Sequence, residues 1–201
     1  MEQEKSVVPD ITNLKFYPLT PEHWTDFEKL FSKHGACGGC WCMWWRLKRS
    51  EFAKNKGEGN RKAMKNIVDN GETPGILAYV NKEPVGWCSV APREAFPALE
   101  RSRVLKRVDD KPVWSVVCFF VAKPFRRKGI TVKLLEAAVE HVKRQGGRIV
   151  EGYPNDLEKF LPDAFVYTGL VSAFRRAGFV EVLRRSKNRP LMRYLIEQKG
   201  F

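Results

Sequence analysis

The chain has 201 residues, 43% hydrophobic and 29% charged, which is enough to bury about 70% of its unfolded surface in one core and unlike a disordered or collagen-like polymer. Its longest apolar run, Val116 to Ala122, is far short of the ~18 residues of a membrane span, and the opening MEQEKSVVPD lacks the apolar stretch of a secretory leader, so the expected address is cytoplasmic. Thirty-six Lys and Arg against 23 Asp and Glu give a net charge of +13, a field that suits phosphate-bearing small ligands, nucleic acid or an anionic surface.

LKFYPLT (14–20) reads as a first strand. A helix follows with Thr20 as its N-cap, and Trp24, Phe27, Leu30 and Phe31 fall on one of its faces. The segment HGACGGCWCMWWR (34–46) is irregular and dense in Cys and Trp. A second helix is expected from Ser50 to Asp69, weakened by Gly57 and Gly59. GILAYV (75–80) and VGWCSVAP (85–92) are spaced as a hairpin. After a basic insertion, VWSVVCFFVA (113–122) is almost continuously β-branched and aromatic, the pattern of a central strand buried on both faces. Leu134, Leu135, Ala138, Val139 and Val142 then recur at helical spacing, and Gly146-Gly147 supply a stop. RIVEGYP (148–154) completes a βαβ unit. A late helix ends at Ala177-Gly178-Phe179, and strands at 180–183 and 190–197 close the chain as a hairpin. Alternating strands and helices without repeats indicate a single α/β or α+β domain over residues 1–201.

FRRKGIT (125–131) opens a helix directly after the buried strand. Free first-turn amides, the helix dipole and Arg126, Arg127 and Lys128 converge there, and Gly129 allows close backbone approach, an arrangement that holds phosphate. The same residues also suit an ordinary basic turn, just as the clusters RLKR (46–49) and RSRVLKR (101–107) suit a solvated surface.

CFFVAKPFRRKGIT followed by KLLEAAVEHV resembles the pyrophosphate motif Q/R-x-x-G-x-G/A of the GNAT N-acetyltransferase superfamily, matching at Arg126 and Gly129 and departing at Thr131. The order of elements from 14 to 197 is similar as well. The resemblance implies a central mixed, twisted sheet of about six to seven strands flanked by helices. It implies acetyl-CoA as cosubstrate, with its pyrophosphate at Arg126, Arg127, Lys128, Gly129, Ile130 and Thr131 and its pantetheine arm along Phe119, Phe120 and Val121. The thioester would lie near Cys118, in a splay between the fourth and fifth strands, and be attacked directly by a primary amine of a small molecule, peptide or protein. The alternative is a non-catalytic CoA-binding or regulatory module of the same fold, associated with nucleic acid, although no interleaving of aromatic and basic residues favours such binding. A monomer or homodimer is expected.

Two acid-base residues common in that family are missing. The position eleven before the motif's Arg is Ser115, which can orient a water, and the position four before Gly178 is Phe174. Glu151, a carboxylate inside an apolar strand, is then a candidate base, unless an arginine satisfies it. Tyr153 and Tyr167 are candidate acids, or structural phenols.

Trp41, Trp44 and Trp45 are candidates to wall an acceptor site, with Arg46 and Arg93 available for a carboxylate or phosphate on the acceptor; core packing is the alternative for each Trp. Five cysteines, three of them at 37, 40 and 42, point to reduced thiols beside the site rather than a disulfide framework. His34 with these three gives H-x-x-C-x-x-C-x-C, too tight for a closed tetrahedral site and lacking a distant second pair, so no metal is expected.

Overall fold

The computed structural model describes residues 11–157, 162 and 165–197; the segment 1–10, read for a leader, lies outside them. The first strand, β1 (Leu14–Pro18), pairs antiparallel with β2 (Gly75–Val80). Helix α1 (Trp24–Phe31) buries Trp24, Phe27, Leu30 and Phe31, the face that their spacing indicates. Thr20 does not cap it: a 3-10 turn at Pro21–His23 delays the helix to Trp24, and Thr20 Oγ1 sits 3.1 Å from His23 Nδ1. The helix expected from 50 to 69 is two, α2 (Arg49–Lys54) and α3 (Glu58–Asp69). They part at Gly57, whose φ of +80° favours glycine.

The hairpin of β2 and β3 (Glu83–Pro92) reverses through Asn81 and Lys82, both at positive φ, as the twist of a tight hairpin demands. The basic insertion contributes a short α4 (Pro97–Glu100). Strand β4 (Trp114–Val121) follows, buried at Ser115 to Val117 and at Phe119 but only partly so at Cys118, Phe120 and Val121. Its second half borders a cavity. Next come α5 (Ile130–Arg144), β5 (Ile149–Gly152), α6 (Val171–Arg176), β6 (Val180–Arg184) and β7 (Pro190–Leu195). The amides of Gly146 and Gly147 close α5 onto the carbonyls of Lys143 and Val142 at 3.0 and 2.9 Å, the expected glycine stop.

The seven strands form one mixed sheet in the order β1-β2-β3-β4-β5-β7-β6, antiparallel except where β4 meets β5. Alternate residues of β2 feed two cores. Ile76, Ala78 and Val80 join Leu134, Leu135 and Ala138 of α5, while Leu77 and Tyr79 join Phe27 of α1 and Met64 of α3.

One irregularity positions the site. β4 and β5 stay in register only at Trp114 with Val150, Ser115 with Glu151 and Val116 with Gly152, and then they part. Phe174 of α6 fills the space under this fork, fully buried. Gly152 makes room for it, since a Cβ there would lie 2.1 Å from the ring. The position that would carry a catalytic phenol is thus a core aromatic, edge-on to Phe119 and Phe179.

Candidate active site

The turn from β4 into α5 is built by backbone. Arg126 is extended, and its Nε donates to the carbonyl of Val121 at 2.8 Å. Arg127 and Gly129 both adopt positive φ, +61° and +80°. The first helical bonds of α5 run from the amides of Val132 and Lys133 to the carbonyl of Gly129, so the amides of Ile130 and Thr131 precede the ladder and have no helical acceptor. A Cβ on Gly129 would meet only Arg176 Nη2, at 3.9 Å. Conformation rather than space therefore calls for glycine there, because a left-handed non-glycine residue costs about 1–2 kcal/mol.

From this turn a cavity of about 770 Å³ runs past the free half of β4 to the loop after α1. Arg126, Arg127, Gly129, Ile130 and Thr131 line one end, and Cys118, Phe119, Phe120 and Val121 the middle. Trp44 and Trp45 line the far end with Cys37, Cys40 and Cys42.

Tyr167 also lines the cavity. The sequence places it at the start of the late helix, but the structure places it in the turn ahead of α6. Its carbonyl accepts the Phe119 amide at 2.6 Å, so at that residue the free edge of β4 already has a backbone partner. A clamp on the loop holds Tyr167 there. Asn155 and Gly169 are bonded amide to carbonyl at 2.9 Å, Asn155 Nδ2 donates to Thr168 Oγ1 at 2.9 Å, and Arg189 Nη1 donates to Asn155 Oδ1 at 2.9 Å. Burial pushes the Tyr167 phenol up to about 12, which keeps it a proton donor.

Glu151, Tyr153, Ser115 and Arg93 meet one another instead of the cavity. Glu151 is fully buried. Its Oε1 accepts from Arg93 Nη1 at 2.9 Å and from the Tyr153 hydroxyl at 2.7 Å, and its Oε2 accepts from Arg193 Nε at 2.7 Å. The Ser115 hydroxyl is 2.8 Å from that of Tyr153. Arg93 also holds Glu100 and the Leu105 carbonyl, while Arg193 holds Asp109 through both terminal nitrogens. Burial, with the Glu151 charge beside it, raises the Tyr153 phenol well above its ordinary range. This satisfied network ties β5 to β7 and to the basic insertion, the arginine-satisfied alternative open in the sequence. The oxygens of Glu151 are held by Arg93, Tyr153 and Arg193 away from the cavity, and Arg93 is not presented to an acceptor.

The loop at 34–46 is the strained part of the site. Ala36, Trp41 and Cys42 have positive φ, as do Gly35, Gly38 and Gly39. Contacts from other elements hold it. The Gly39 carbonyl accepts from the Gly57 amide and from Asn60 Nδ2, both at 3.0 Å, and the Trp41 ring stacks on Phe31. Trp45 is buried, whereas Trp44 is 38% exposed and meets Phe52 edge-on. Arg46 lies behind the wall. It is 9% exposed, stacked over Phe96 and bonded to the Pro74 carbonyl, and burial lowers its guanidinium to about 10. Among the described residues, no three His, Cys, Asp or Glu side chains are grouped so as to hold a metal ion.

Sequence reasoning missed Arg193 as the partner of Glu151, though pairing the closing strand antiparallel to β5 puts Glu151 opposite Arg193. It also missed the Asn155, Thr168 and Arg189 clamp, for which no local pattern exists.

No curated protein matches the sequence. Solved structures match in fold. The GNAT acetyltransferase of Streptococcus pneumoniae superposes with a TM-score of 0.53 at 14% identity, over 92% of this chain and all of its own. The PaiA N-acetyltransferase of Thermoplasma acidophilum, solved with coenzyme A, gives 0.52 at 11% identity, over 92% of this chain and all of its own. The protein yncA of Salmonella typhimurium, solved with acetyl-CoA, gives 0.52 at 10% identity, over 94% of this chain and 96% of its own. The sequence profile of the acetyltransferase (GNAT) family matches residues 41–156, more than half of the chain and all of the β4-turn-α5 unit, and the chain belongs to that family.

Proposed function

We propose that this chain is a single acyltransferase domain that moves an acetyl group from acetyl-CoA to a primary amine, by direct attack with both substrates bound. The observation that carries the reading is the one continuous cavity that joins an anion-suited turn to an aromatic, thiol-rich loop past the free half of β4. In this reading Arg126, Arg127 and Lys128, with the amides from Gly129 to Thr131, hold the pyrophosphate. Phe119, Phe120 and Val121 line the path of the pantetheine arm. Trp44 and Trp45 wall the acceptor pocket, and Arg46 supports it from behind. Tyr167 is the acid that protonates the departing CoA sulfur, a role the raised phenol suits. Ser115, Glu151, Tyr153 and Arg93 position the fork between β4 and β5. Holding the two reactants together supplies much of the acceleration for an aminolysis of this kind.

The acceptor is a small-molecule amine or a peptide amine of apolar character, since the far end of the cavity is walled by Trp, Phe and Cys. Among the described residues no helix is long and apolar enough to cross a membrane. The reading needs no metal and no nucleic acid, and a cytoplasmic monomer or homodimer would suffice for it.

Calorimetric titration of CoA against the unmodified chain and Gly129→Glu tests the site. Binding should fall by about 10²-fold or more, because glutamate adds both left-handed strain and a negative charge beside the pyrophosphate. Equal affinities would remove the site. Release of CoA thiol with a panel of primary amines then separates a transferase from a CoA-binding module.

A further inference from the structure

Four of the five thiols line the cavity, Cys118 at its middle and Cys37, Cys40 and Cys42 at its far end. They are not equivalent. The Cys42 sulfur accepts a hydrogen bond from the Trp87 indole Nε1 at 3.1 Å. It also lies beside Cys118 and Ser89, whose own hydrogens go to the carbonyls of Phe119 and Pro74, and it feels the positive charge of Arg46. Arg46 is buried, and its Nε has no hydrogen-bond partner among the described residues, leaving a cation there without a neutralising hydrogen bond at that atom. The backbone at Cys42 is left-handed, with φ of 62°. A non-glycine residue held in this conformation costs about 1–3 kcal/mol, and such strain gathers at functional positions. A donor from β3 and the charge of a buried cation from the loop act on this one sulfur.

We infer that Cys42 is the proton acceptor for the attacking amine. The inference rests on the proposed transferase reading and adds the base that this reading lacks. As the new C–N bond forms and the thioester C–S bond breaks, the amine nitrogen gives its proton to Cys42 Sγ. Tyr167 gives its phenolic proton to the departing sulfur, and Cys42 then returns a proton to Tyr167 by way of solvent. The balance is one amine and one thioester consumed, one amide and one thiol formed.

The charges around Cys42 support the assignment. Burial alone would raise this thiol, but contact with Cys118, then the Trp87 donor, the Arg46 charge and Ser89, bring it below its ordinary value. The neighbours go the other way. Contact with Cys42 and burial push Cys118 well up, burial pushes Cys88 well up, and burial raises Cys40. The other groups that face this cluster are Tyr167, ahead of α6, and Glu72, which acts through Arg46. The base form of Cys42 is therefore present above its lowered titration point and lost as the pH falls through it.

The test is the rate of iodoacetamide alkylation at each cysteine, read by peptide mass spectrometry across pH, together with Cys42→Ser. Cys42 should titrate below the ~8.5 of an ordinary thiol, with Cys118 and Cys88 above it. Cys42→Ser should keep its CoA affinity while kcat falls about 10²-fold and the acidic limb of the pH profile disappears. An ordinary titration of Cys42, or full activity of Cys42→Ser with an unchanged profile, would overturn the inference. So would an acetyl group left on Cys42 by acetyl-CoA alone, which would mean a covalent route. Should the serine variant fail to fold, alkylation of the unmodified chain decides. Loss of CoA binding by the unmodified chain would strike the transferase reading, whereas CoA binding with an ordinary Cys42 would strike only this inference.

Discussion

The turn from β4 into α5 and the loop at 34–46 both hold non-glycine residues in left-handed backbone, and they use it differently. In the turn, Arg127 and Gly129 reverse the chain so that backbone amides open α5 toward the cavity; in the proposed function these amides bind together with Arg126, Arg127 and Lys128. In the loop, Ala36, Trp41 and Cys42 are bent so that particular side chains face the cavity or the core. Such bends cost about 1–3 kcal/mol each and are offset by the packing of Trp41 against Phe27 and Phe31 and by the bonds at Gly39. The turn is shaped by backbone, whereas the loop needs side chains and the strain that aims them; in the proposed function the first meets a constant ligand and the second a chosen acceptor.

The fork between the two halves gives the largest expected effect. Glu151→Gln leaves Arg93 and Arg193 buried against a neutral amide, and breaking a buried ion pair from one side costs about 3–5 kcal/mol. The melting temperature should drop sharply, with the enzyme that remains folded changing its kcat by less than about 3-fold. Thermal denaturation and steady-state assays on the same preparation check both. A ~10²-fold loss of kcat at an unchanged melting temperature would restore Glu151 as a base.

This contrast also explains what the sequence disclosed. The β4–α5 turn was legible because strand, glycine and helix follow one another locally, and the hairpins were legible from alternation and turn residues. Glu151 was conspicuous as a carboxylate among apolar neighbours, but its partners come from residues 93 and 193, far away in the chain, so its role was not. Tyr153 and Tyr167 could not be ranked for a similar reason. Which phenol meets the cavity depends on the fork after Gly152 and on the Asn155 clamp, and neither leaves a periodic trace. The Trp87 donor to Cys42 was hidden as well, since it lies 45 positions away.

Tyr167→Phe probes the boundary of the cavity next. Its carbonyl, which pairs with Phe119, is backbone and survives the substitution, so the loop should stay in place and CoA affinity should hold. Only the hydroxyl is lost. If Tyr167 protonates the leaving sulfur, kcat should fall by ~10-fold to 10²-fold, and the loss should shrink for acyl donors with a more acidic leaving thiol. A loss independent of the leaving group would place the acid elsewhere.

The smallest expected effect belongs to Trp44, and it sharpens the comparison most directly. Trp44 is 38% exposed, packs edge-on against Phe52 and has the Arg49 guanidinium 6.0 Å from its ring, so its removal opens little of the core. Trp45, by contrast, is buried among Ala91, Phe96 and Leu99, and its truncation would cost about 3–5 kcal/mol in packing, which would obscure any effect on recognition. Trp44→Ala should leave the melting temperature and CoA affinity nearly unchanged and raise KM for an apolar aromatic amine by about 10-fold, the ~1.4 kcal/mol that one lost aromatic contact represents. A short polar amine should show much less change. The ratio of kcat/KM for the two amines, measured in Trp44→Ala and in the unmodified chain, is the readout. An equal change for both would mean that Trp44 shapes the loop without touching the acceptor, and the aromatic wall would then reduce to the buried Trp45 and Phe52.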